Sequence, residues 1–131
     1  MSGPQQDAIH ERDTDESLSA QISNSVVRLT REYTGRGPQK ARTIINQNVV
    51  VTMLQDALTK GERRLVESGR HGLVLEMRRE FQDAMRHDLV ADLERLTGRK
   101  VQAMMSANHV DPDLGSEIFV LDQPPDGRAA G

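Results

Sequence analysis

Apolar residues recur along this chain at two different spacings, and each change of spacing marks a new element. From Ile22 through Val26 and Leu29 to Tyr33 the steps are four, three and four residues. That is one narrow stripe along a helix, with Gln21, Asn24, Arg28 and Arg31 on the opposite side. The pattern predicts a helix over 13–34. Asp13-Thr14-Asp15-Glu16 has the form of a capping box at its start, where side chains satisfy the free N–H groups of the first turn. Gly35 is the expected left-handed cap, and Pro38 prevents continuation.

The spacing then shortens. Segments 41–46 and 49–55 are dominated by β-branched residues, and Gln47-Asn48 lies between them where a tight turn is needed. This predicts a β-hairpin. In its second strand Val49, Val51 and Met53 share one face, and Val50, Thr52 and Leu54 share the other. Two apolar faces predict a central strand covered on both sides, or a face buried in a dimer.

Helical spacing returns twice. Thr59-Lys60-Gly61-Glu62 is a second capping box and predicts a short helix to about Ser68, stopped by Gly69. The longest element is expected over 71–97, closed by Gly98. Its apolar face is read as Val74, Met77, Phe81, Met85, Leu89, Leu93 and Leu96, with Asp83–Arg86 and Asp92–Arg95 as favourable pairs on the wet face. Two strands end the pattern. Val101, Ala103 and Met105 are expected on one face of the first; Ile118 and Val120 alternate with Glu117, Phe119 and Leu121 in the second. The stretch 108–115 between them is dense in turn formers and predicts another hairpin.

The order α-β-β-α-α-β-β predicts an α+β fold: a mainly antiparallel four-stranded sheet with helices packed on one face. A single domain is expected over 13–122. Segments 1–12 and 123–131 are polar, contain Gly and Pro, and are expected to be disordered tails.

Composition changes this picture in one respect. The chain has 131 residues, enough for one core, but aromatic residues make up only 2% of it. The core must rely on Val, Leu, Ile and six Met, which bury less area per residue than aromatics. Self-association would supply more burial, so a homo-oligomer, most simply a dimer, is expected. The candidate self-association surface is the stripe Ile22, Val26, Leu29 and Tyr33.

There is no cysteine, which excludes disulfides, thiolate metal sites and a cysteine nucleophile. No apolar run approaches a membrane span, and no signal-peptide pattern opens the sequence. The expectation is a cytoplasmic protein without direct membrane insertion. A net charge of −3 and the scarcity of aromatic stacking partners argue against a nucleic-acid partner.

Candidate chemistry is sparse. No two of His10, His71, His87 and His109 are spaced as a helical metal pair. His109, Asp111 and Asp113 surround Pro112, but lack the Gly and distal Glu of a calcium loop, and read as a turn. Gly35-Arg36-Gly37-Pro38 resembles a phosphate loop only superficially, because it follows a helix and precedes a strand. Even so, Arg36, Gly37, Lys40 and Arg42 combine a free backbone with cationic donors, and form a candidate anion-binding segment. No catalytic residue, cofactor or metal ligand is assigned, and the chain is not expected to be an enzyme.

Gly35-Arg36-Gly37-Pro38 followed by Lys40-Ala41-Arg42 resembles a bacterial family. So do the hairpin 44–54, the helix start Leu58-Thr59-Lys60-Gly61-Glu62, the junction Leu96-Thr97-Gly98-Arg99-Lys100-Val101 and the ending Glu117-Ile118-Phe119-Val120-Leu121. The family is the MpsC-like domain family, formerly a domain of unknown function, and the resemblance covers about 21–122. Its name comes from a membrane-potential-generating system linked to sodium translocation. The resemblance implies an accessory component, with membrane transport subunits as possible partners, and no catalytic residues. The leading expectation is therefore a non-catalytic accessory or regulatory protein acting by self-association and partner binding. The alternative is a small-anion or nucleotide-binding sensor using the basic segment at Arg36, Lys40 and Arg42.

Overall fold

The computed structural model describes residues 16–125. Their order is α1 (Leu18–Thr34), β1 (Lys40–Asn46), β2 (Val49–Gln55), α2 (Lys60–Glu67), α3 (His71–Thr97), β3 (Val101–His109) and β4 (Leu114–Leu121). The expected α-β-β-α-α-β-β order is the one observed. All strand pairs are antiparallel, in the order β1-β2-β4-β3. The two hairpins are thus joined at the middle of the sheet by β2 and β4. The helices lie over one face, with α1 against β1, α3 against β3, and α2 beside α3.

Local signals explain most boundaries. In α1 the chain becomes helical at Leu18, after Ser17, whose Oγ accepts the Ala20 N–H at 3.1 Å. Ser17 takes the capping role assigned from sequence to Asp13, which lies outside the described residues. Gly35 closes α1 at φ 85°, donating its N–H to the Arg31 carbonyl at 2.9 Å, a conformation glycine adopts without a Cβ penalty. The capping box of α2 is complete: Thr59 Oγ1 accepts from Glu62 N, and Glu62 Oε1 accepts from Thr59 N. Asn48 fastens the first hairpin turn to the end of β4 by donating its side-chain N–H to the Leu121 carbonyl at 2.8 Å.

The core lies between the helices and the covered face of the sheet. Ile22, Val26 and Leu29 of α1 meet Met85, Leu89 and Leu93 of α3 over Val50, Leu54, Met104, Phe119 and Leu121. Burial of this apolar area is the main stabilising term. Three details depart from the sequence pattern. First, α3 buries Arg78 and Gln82, whereas Met77, Phe81 and Leu96 are half-buried, because polar partners await the first two beneath the helix. Second, β3 carries a bulge between Val101 and Ala103. Val101 therefore packs against the core, while Ala103 and Met105 point to the uncovered face, so the three do not share a face. Third, the second hairpin turn is only residues 110–113, since β3 runs to His109 and β4 starts at Leu114. At the C-terminal side, residues 123–125 are ordered: Pro125 is buried and the Pro124 carbonyl accepts Arg99 Nε at 2.7 Å. Both contacts fall within the stretch 123–131 expected as a tail.

Candidate functional site

The four residues of the predicted self-association stripe are not a free surface. Ile22 and Val26 are fully buried and Leu29 nearly so, inside this chain's own core. A helix stripe that narrow fits one neighbour, and α3 with the sheet is that neighbour. Tyr33, 37% exposed, donates its hydroxyl to Asp88 of α3 at 2.8 Å. α1 and α3 are further locked where Asp92 accepts Ser25 Oγ at 2.7 Å and pairs with Arg28 at 2.8 Å and Arg95 at 3.3 Å. Burial pushes the Asp92 carboxyl up, but the Ser25 and Arg95 hydrogen bonds and the two cations outweigh it and hold the group below its usual range.

The candidate anion-binding residues are split. Arg36 turns toward Asp56, donating to its carbonyl and pairing with its carboxylate, each at 3.1 Å; Arg63 pairs with the same carboxylate. Gly37 sits where an added Cβ would come within 3.2 Å of the Arg31 guanidinium, so its glycine provides room. Lys40 and Arg42 point away from this corner, to the uncovered face. There they line an open groove of about 710 Å³ with Gln39, Ala41, Met53, Gln55 and Leu114.

That uncovered face is the largest unexplained feature of the molecule. Strand register assembles it in rows across all four strands. The central row is Ile44, Val51, Ile118 and Met105, and beside it runs Asn46, Val49, Val120 and Ala103. Then come Arg42, Met53, Ser116 and Ala107, and last Lys40, Gln55, Leu114 and His109. Ile44 is 49% exposed, Met105 50% and Val49 37%. No described residue packs over this face. Half-exposed large aliphatics in one contiguous patch mark interaction surfaces in folded proteins. Part of the signal was visible in β2, whose two faces are both apolar. The positions on β1, β3 and β4 needed the register.

The covered face holds a polar row of its own: Thr43, Thr52, Glu117 and Ser106. Ser23 of α1 contacts Thr43 at 2.7 Å, and Thr43 contacts Thr52 at 2.8 Å, both through hydroxyls. Glu117 is 1% exposed, accepts Gln82 Nε2 at 3.2 Å and is hydrogen-bonded by Ser106. Burial raises its pKa to about 7, against the lowering effects of those two donors and of Arg78 and Arg86. Gln82 and Asn108 exchange amide hydrogen bonds at 3.1 and 2.8 Å. The groove of about 320 Å³ above them, which Arg86 and Ser106 also line, has much of its polar lining already paired within the fold. Further along α3, Arg78 pairs at 3.3 Å with Glu62, both buried. Asp113 Oδ2 accepts the Leu58 N–H at 2.9 Å, and His109 Nδ1 contacts the Pro112 carbonyl at 2.8 Å, so this turn is tied into the fold.

No helix among the described residues is long and apolar enough to cross a membrane. Residues 14–123 match a family model described as Na+-translocating membrane potential-generating system (MpsC). Comparison with curated proteins finds no match, and neither does comparison with solved structures.

Proposed function

The chain belongs to the MpsC family, and from that premise we propose a cytoplasmic, non-catalytic accessory or regulatory protein that acts by self-association and partner binding. It serves a membrane-potential-generating or ion-transport system. The observation that carries the association is the uncovered sheet face, with Ile44 and Met105 about half exposed at opposite edges of one apolar row. The family description supplies the link to membrane energetics. Light scattering on the purified chain tests the first part. A dimer or larger species is expected at tens of micromolar, a working range for weak association, and a monomer there refutes it. Co-expression with the transport subunits of such a system tests the second. A stoichiometric complex after detergent extraction is the expected result, and separate elution counts against the link.

A second reading has its own observation, the groove at Lys40 and Arg42. Two cationic side chains beside an open cavity suit a small anion or a nucleotide. A ligand that binds only the native state raises its stability. A thermal-shift screen with phosphate, bicarbonate and nucleotides should then give a shift that disappears in a Lys40→Ala, Arg42→Ala double variant. No shift with any of them removes this reading.

A further inference from the structure

We propose that the uncovered face of the sheet is the interface of a twofold dimer, in which a second copy of this chain packs its own uncovered face against the first. The inference rests on the association reading above and names its partner and geometry.

The size of the face fits such a dimer. Strands lie about 4.8 Å apart, and residues on one face repeat about every 7 Å, so four strands by four rows span on the order of 500 Å². Two such faces approach 1,000 Å², about the lower bound for a specific interface. A reversible dimer of modest affinity follows, rather than an obligate one.

Its chemistry fits as well. The central row is entirely apolar, and the row beside it is apolar except for Asn46. The basic residues, Lys40 and Arg42, sit toward one end of β1, and no carboxylate shares the face. A twofold axis lying along the Ile44–Met105 row brings apolar row against apolar row. It also carries the basic end of one copy to the opposite end of the other, so like charges do not meet. The small residues Ala103, Ala107 and Ser116 let the sheets approach to the usual spacing of about 10 Å.

Other occupants fit less well. In this sequence the residues outside the described part offer only Met1, Pro4, Ala8 and Ile9 before residue 16, and Ala129 and Ala130 after residue 125. Four rows of β-face need more apolar area than that. A lipid surface calls for cations around an apolar patch, whereas here they stand at one corner.

The test uses the full chain in sedimentation equilibrium from about 1 to 200 µM, the range where a dissociation constant near the micromolar level is read directly. Ile44→Lys and Met105→Lys change exposed edge-strand positions, and circular dichroism checks that each variant folds. Each should weaken the dimer at least tenfold, and the double variant should be monomeric. Because the chain has no cysteine, Ile118→Cys places a unique thiol in the central row, on the proposed axis and opposite its own copy. Oxidation should give a covalent dimer, while Arg64→Cys on α2 should not. A dimer unaffected by the lysine variants and not cross-linked through position 118 overturns this geometry but leaves self-association standing. A wild-type monomer at every concentration overturns both. A monomer that binds phosphatidylserine vesicles through Ile44 and Met105 assigns the face to a membrane and also overturns the proposal.

Discussion

Replacing Glu117 by Gln should stabilise this protein at alkaline pH and leave it nearly unchanged at acid pH. Glu117 stands in the polar row of the covered face, 1% exposed, with neutral donors from Ser106 and Gln82. Arg78 and Arg86 act on it only through space, and Arg78 is already paired with Glu62. Burial therefore dominates and lifts the carboxyl from 4.5 to about 7. The sign follows from linkage. Between pH 4.5 and 7 the unfolded chain has released this proton and the folded chain still holds it, so stability falls as pH rises through that window. At 1.36 kcal/mol per unit, the loss from Glu117 alone reaches about 3 kcal/mol above pH 7. Gln keeps the shape and both hydrogen bonds, accepting from Gln82 and donating to the Ser106 hydroxyl, but carries no charge to desolvate. Urea titrations of both proteins at half-unit steps from pH 4.5 to 8.5 measure the difference, provided the slope with denaturant is unchanged. The gap should open from near zero to about 3 kcal/mol, on the order of 10 °C in melting temperature. A variant that is less stable at pH 8, or a gap independent of pH, would refute the reasoning.

Other perturbations probe the remaining contacts. Arg78→Met leaves the Glu62 carboxylate buried without its cation, and should cost about 3–5 kcal/mol in chemical denaturation; adding Glu62→Gln should recover most of it. Ser25→Ala removes a hydrogen bond to the charged Asp92 and should cost about 1–2 kcal/mol, with the loss shrinking as acid protonates Asp92. Gln47, in the first hairpin turn, has φ 58°. Gln47→Gly should raise stability by about 0.5–1 kcal/mol, since relief of the left-handed backbone outweighs the entropy of glycine; a lower denaturation midpoint would contradict this.

Sequence periodicity by itself determined the kinds of element and their order. Helix and strand spacing, the Thr59–Glu62 capping box and the Gly35 and Gly98 stops act between residues a few positions apart, so they are legible without the fold. It also placed Lys40 and Arg42 near one another, and showed two apolar faces on β2. What it left open depends on residues far apart in the chain. Whether the Ile22–Leu29 stripe faces a partner or its own α3 is decided by the return of the chain some 60 residues later, and the answer is its own core. Arg78 and Gln82 fall outside the apolar stripe read along α3, and they are buried because Glu62, Asn108 and Glu117 lie beneath them. The one-residue bulge in β3 sends Met105 outward, and no local pattern announces it. Above all, the pairing of β2 with β4 aligns Ile44, Val51, Ile118 and Met105 into one row. Any one of these is an ordinary strand residue. Only side by side, on the face the helices leave bare, do they form a surface large enough to hold a second molecule.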